Sequence, residues 1–183
     1  HPLIGGPSTG GNYNRLYDVI VTLPETRHML LRRERSIMDQ MIQPPGTPTN
    51  QLILENYIKY MTNLIAVEAN MDRARWGFSP WASGKTFEQG VSDLLFQFVG
   101  PRRQHWYVTH CITNTSRAIG IGNNNNAGIP LSQPANALIA VLGVEFNPSS
   151  ANQDQEFITI TNPSPYAVDI TGWKLSGGVE FTF

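Results

Sequence analysis

Cysteine occurs once in this chain, at Cys111, so no internal disulfide can close and stability must come from packing and polar ties. A lone cysteine fits a reducing compartment, although many exported bacterial proteins lack disulfides as well. Charge is scarce too, at 15% of residues with a net charge of -1. Residues 1–110 hold 11 Lys+Arg against 9 Asp+Glu, a balance of +2, and residues 111–183 hold 2 against 5, a balance of −3. Neither half offers the clustered basic face that nucleic acid or an anionic membrane requires. No uninterrupted apolar run approaches the ~20 residues that span a bilayer, which predicts no transmembrane segment. The opening HPLIGGPSTGG carries no visible signal peptide and reads as a loop. The final residues to Phe183 read as a strand in progress, so further sequence is expected on both sides.

The usual catalytic spacings are missing as well. Gly120-Ile121-Gly122-Asn123-Asn124-Asn125 starts like a dinucleotide loop but has no third Gly and follows no strong strand. The run from Gly172 to Gly178 lacks the Lys-Ser/Thr ending of a phosphate-binding loop, and Gly177-Gly178 reads as a hairpin turn. Neither HExxH nor an EF-hand spacing occurs. His105 and His110 are five apart, which on an α-helix puts them on different faces. With Cys111 they would make a zinc site short of ligands. Cys111 has no base at a fixed spacing and reads as a small packing residue. The chain therefore presents no catalytic, cofactor-binding or metal-binding set.

What is present divides in two. Helices are expected near residues 12–21, from a Thr22 cap with Pro24 in the first turn to the stop at Pro44-Pro45-Gly46, from a Thr49 cap to about Arg75, and across Phe87 to His105. Apolar residues recur at helical spacing. In the second helix they are Leu30, Leu31, Ile37, Met38, Met41 and Ile42, with His28, Arg32, Arg35 and Asp39 opposite. In the third they are Leu54, Tyr57, Ile58, Met61, Leu64 and Ile65. These stripes, Met38, Met41 and Met61 included, are expected to form core. Arg102, Arg103 and His105 suit the negative end of the fourth helix. Residues 112–134 lose periodicity, turn to Gly, Asn, Ser and Thr, and read as a linker or long surface loop. Short strands follow at 137–146, 156–161, 167–170 with 173–175, and 179–183.

Glu156-Phe157-Ile158 through Asn162-Pro163-Ser164, then Val168-Asp169-Ile170-Thr171-Gly172-Trp173-Lys174-Leu175, closely resembles the lamin tail domain. That family's pattern is E-F-[IV]-E-[LI]-x-N-P followed by V-D-L-[ST]-G-W-x-[LI]; Thr159 departs from it, standing where an acidic residue is frequent. The resemblance implies an immunoglobulin-like β-sandwich, of which residues 137–183 would supply the first strands. The helical part resembles the C-terminal portion of the spore coat protein H (CotH) kinase-like family. The matching phrases are Asn14-Arg15-Leu16-Tyr17-Asp18, Leu31-Arg32-Arg33, Asp72-Arg73-Ala74-Arg75-Trp76-Gly77 and Gly100-Pro101-Arg102-Arg103-Gln104-His105. Such bacterial proteins often carry a lamin tail domain after the kinase-like domain. The resemblance implies a divergent kinase fold using ATP and a divalent metal, with acidic metal ligands upstream of the matched region, and an exported or cell-surface setting.

The fold class expected is thus α+β by segregated domains: residues 1–110 as the helical end of a kinase-like domain, 111–136 as linker, and 137–183 as a partial sandwich. Five residues are singled out. Asp72, Arg73 and Arg75 are expected to form an ion pair that locks the third helix, with Trp76 packed beneath; the functional alternative is an Arg contact to phosphate. Trp173 is expected between the sheets, the alternative being a surface aromatic for a carbohydrate or protein partner. Three functions stay open: a non-catalytic support region with a β module that binds a protein or cell-envelope partner, part of an active phosphotransferase, and a helical interaction module with a disordered tail.

Overall fold

The computed structural model describes residues 20, 22–77, 84–115 and 128–183. The helix expected at 12–21, apart from Ile20, lies outside them, as do the Asn14–Asp18 phrase and the 120–126 tract. Helix α1 spans Pro24–Met41 and α2 spans Ile53–Trp76, with a 3-10 turn at Thr49–Gln51 between them. A composite helical rod follows: α3 (Phe87–Asp93), a π-helical stretch (Leu94–Val99), α4 (Gly100–Gln104) and a second π-helical stretch (His105–Thr109). Two antiparallel hairpins close the chain, β1 (Ala140–Glu145) with β2 (Phe157–Thr161), and β3 (Lys174–Leu175) with β4 (Phe181–Thr182). The architecture is α+β, with helices first and small antiparallel sheets after them.

Neither expected threonine cap is used. Leu23 holds the extended cap position of α1, and Leu52 that of α2, both without a side-chain bond. Residues 22 and 49 lie too early because the chain spends Leu23 and a 3-10 turn on re-aiming itself. The cap that does form is at α3. Thr86 Oγ1 accepts from Gln89 N at 3.1 Å while Gln89 Oε1 accepts from Thr86 N at 2.8 Å, so two amides that the helix start leaves orphaned are satisfied.

The core sits where α1, the second π stretch and residue 129 meet: Leu31, Met38, Ile42, Tyr107 and Ile129, with Leu30, Leu54 and Trp106 against it. Ile129, 0% exposed, belongs to the segment read as linker. Its amide donates to His110 O and its carbonyl accepts from Ile112 N, each at 2.8 Å, so both described ends of that segment are packed.

The apolar stripes are only half core. Met38 is buried, but Ile37 and Met41 are exposed, and on α2 Tyr57, Met61, Leu64 and Ile65 all face solvent. The inner face of α2 is instead its line of Leu54, Ile58, Thr62, Ala66 and Ala69. Small residues there let the helix lie close to its neighbours. Conversely, three arginines of α1 are buried: Arg27, Arg32 and Arg35 are each under a tenth exposed, while His28 of the expected polar face stays in solvent.

Residues 167–170 form no strand. Ala167 O is taken by Arg32 Nε (3.0 Å), and the backbone of Asp169 pairs at both N and O with the Gln133 side-chain amide (2.7 and 3.1 Å). Side chains thus fill the bonds that a neighbouring strand would use.

Candidate functional site

The chain concentrates its polar chemistry in a seam between α1 and the segments 130–133 and 167–171. Successive arginines of α1 each take a different partner. Arg32 Nη1 donates to Leu131 O at 2.7 Å, besides its bond to Ala167 O. Arg33 donates to Asp169 Oδ2 and Thr171 Oγ1, both at 3.1 Å. Arg35 pairs with Asp39 at 2.9 Å and reaches Pro130 O and Ser132 Oγ, while its guanidinium stacks 4.7 Å from the Tyr107 ring.

Electrostatics follow from this wiring. Burial works against the charge of Asp169, but hydrogen bonds from Thr171, Ser36 and Arg33 outweigh it and hold the carboxyl well below the usual range. Burial, then the hydrogen bond to Asp39, pushes the Tyr107 phenol up. Burial alone raises Glu34 to about 7.

Beside Arg32 lies a cavity of about 190 Å³, walled by Leu31, Ile112, Pro130, Pro165 and Tyr166, with exposed His28 at its rim. A second polar junction ties the helices. Arg103 donates to the carbonyls of Ile42 and Gln43 and to Glu55. It therefore caps the C-terminus of α1, not that of its own helix. Glu55 and Arg103 are both buried, and Glu55 Oε2 has no hydrogen-bond partner among the described residues.

His105 and His110, assigned above to different faces, touch. The π-helical turn gives His110 N a bond to His105 O at 2.9 Å, and this wider turn brings residues five apart side by side. Nε2 meets Nε2 at 2.5 Å, with His110 3% exposed and its Nδ1 without a hydrogen-bond partner among the described residues. Burial lowers the pKa of both, that of His110 to about 4. Cys111 is buried and accepts from Thr113 Oγ1. Among the described residues no three His, Cys, Asp or Glu gather as a metal site.

The five residues singled out in the sequence fall elsewhere. Asp72 takes part in no ion pair among the described residues. Arg73 reaches across to Lys85 O. Trp76 is 76% exposed, not packed beneath the helix end, and Arg75 lies 5.5 Å over its ring. The cluster ends a helix whose Arg73 carbonyl accepts from Gly77 N, where φ is +69°. Trp173 is half-buried and lines a gap of about 120 Å³ with Val141, Ile160, Ile170, Leu175 and Phe183, between the two hairpins.

The seam was hidden from the sequence because Arg32 and Arg35 bond to carbonyls about a hundred residues away. Comparison with known protein families, curated proteins and solved structures returns no match.

Proposed function

We propose that this chain is a support and binding unit, whose helices buttress a larger kinase-like domain and whose β part serves as a lamin-tail-like module for a protein or cell-envelope partner. The observation that carries the reading is the outer face of α2. Ile53, Tyr57, Tyr60, Met61, Leu64, Ile65, Val67 and Met71 recur at three- and four-residue spacing and are 40–67% exposed. An apolar stripe of this length on one helix marks an interaction surface. The π-helical stretch after α3 adds Phe96 and Phe98, also exposed.

The β part fits the same reading. Its two hairpins turn apolar residues toward a shared gap with Trp173 at its edge, the arrangement expected at the start of a sandwich. The lamin tail and CotH resemblances supply the class; the uncovered faces supply the physical reason for a supporting role. ATP and a divalent metal would then belong to residues outside this chain. Among the described residues, no helix is long and apolar enough to cross a membrane.

Calorimetric titration of the chain with Mg-ATP tests the division of labour. Heat consistent with no micromolar binding is expected. Saturable micromolar binding would mean that phosphotransfer chemistry resides here and would overturn the support role.

A further inference from the structure

Arg32 is a buried cation without a carboxylate. It is 6% exposed, yet its two bonds go to the neutral carbonyls of Ala167 and Leu131. The nearest acids are committed elsewhere, Asp169 to Arg33 and Asp39 to Arg35 and Tyr107. A guanidinium has five N–H donors, so three of its N–H groups, both on Nη2 among them, have no bond to the described residues. No carboxylate bonds to this group among the described residues, and burial, with Arg35 beside it, lowers its pKa against the smaller opposing pull of Tyr166, Asp39 and Asp169.

Arg32 also lines the cavity of about 190 Å³ described above, beside Ala167, whose carbonyl it holds. No Asp or Glu stands among the described residues around that cavity, and its walls are mainly apolar. Tyr166 lines the same cavity and interacts electrostatically with Arg32, and its hydroxyl, which makes no hydrogen bond with the described residues, is a second donor for a ligand there. An apolar cavity of roughly 150 Å³ holds a benzene ring, so this one has room for a ring and a carboxylate. Phosphate would waste the apolar walls. Solvent alone would leave the cation without a counter-charge.

We propose that this cavity is a binding site for a small monocarboxylate with an aromatic or short aliphatic body, its carboxylate held by Arg32 and Tyr166 and its body against Leu31, Pro130 and Pro165. A planar carboxylate can take two parallel N–H bonds from a guanidinium, which a spherical or neutral group cannot.

Benzoate, benzyl alcohol and inorganic phosphate, each titrated into the full chain and followed by thermal unfolding and by NMR shifts, test it. Benzoate should raise the unfolding temperature saturably and shift Tyr166 resonances, while benzyl alcohol and phosphate should not. Ala167→Phe keeps the carbonyl that holds Arg32 but fills the cavity, and should weaken benzoate at least tenfold. Arg32→Lys keeps the charge but not the paired donors, and should weaken it by a similar factor. Should Arg32→Lys fail to fold, Ala167→Phe and the neutral isostere still decide the matter. No saturation with benzoate, an equal response to benzyl alcohol or phosphate, or unchanged affinity in Ala167→Phe would overturn the proposal.

Discussion

His110 Nε2 lies 2.5 Å from His105 Nε2, and burial holds its pKa at about 4. The unfolded chain titrates this group near 6.5. As pH falls below 6.5 the unfolded state therefore takes up a proton that the folded state refuses, and stability is lost down to about pH 4. Glu34 acts in the opposite direction. Its folded pKa of about 7 exceeds the unfolded 4.5, so its contribution is full below pH 4.5 and is lost as pH rises through 7. Glu34→Gln should raise stability at pH 8 by on the order of 1–3 kcal/mol, a figure discounted for partial exposure. It should have no such effect at pH 4, and His110→Gln should flatten the acid limb. Urea unfolding of both variants across pH 4–8 checks both slopes. At this scale little was legible in the sequence. Arg32 and Arg35 look like a solvated helix face, and only partners far along the chain show that they are buried. α-Helical spacing separates His110 from His105, and only the π-helical turn brings them together.

Elements were more readable than their ends. All three described helical regions stand where periodicity placed them, and β1 and β2 lie within the expected strand ranges. The π stretches were missed, although Pro101 carries a signal for the first. Proline cannot donate to the carbonyl four residues back, and its ring crowds it. The turn just before widens, so that Gly100 N bonds to Leu95 O, five residues back. The capping box was also there to be read, as Thr86-x-x-Gln89 ahead of the apolar Val91 and Leu94. Helix ends depend on longer reach. Gln43 takes a left-handed φ of +60° after α1, and its side chain accepts from Ile53 N, the first amide of α2. Arg103 closes the same corner through Ile42 O, Gln43 O and Glu55. Arg103→Met leaves Glu55 buried and unpaired, so a loss of about 3–5 kcal/mol is expected in chemical denaturation. Glu55→Met combined with Arg103→Met removes the stranded charge and should be less destabilised than Arg103→Met alone. Equal or additive losses would show that the pair is not the source of the cost.

At the scale of the whole molecule, helices and hairpins are joined by α1. Its arginines reach residues 130–132 and 167–171, while Ile129 enters the helical core. That docking leaves the outer stripe of α2 bare. The proposed support role rests on the stripe, since a helix keeps Tyr57, Leu64 and Ile65 in water only at a cost of about 1.5–3 kcal/mol for each side chain that a partner surface could bury fully. Amide hydrogen exchange along α2 tests this most directly, measured on the chain alone and on the entire product of its gene. Marked slowing from Tyr57 to Met71 in the entire product is predicted, because the stripe would be covered there. Identical exchange in both would contradict the account.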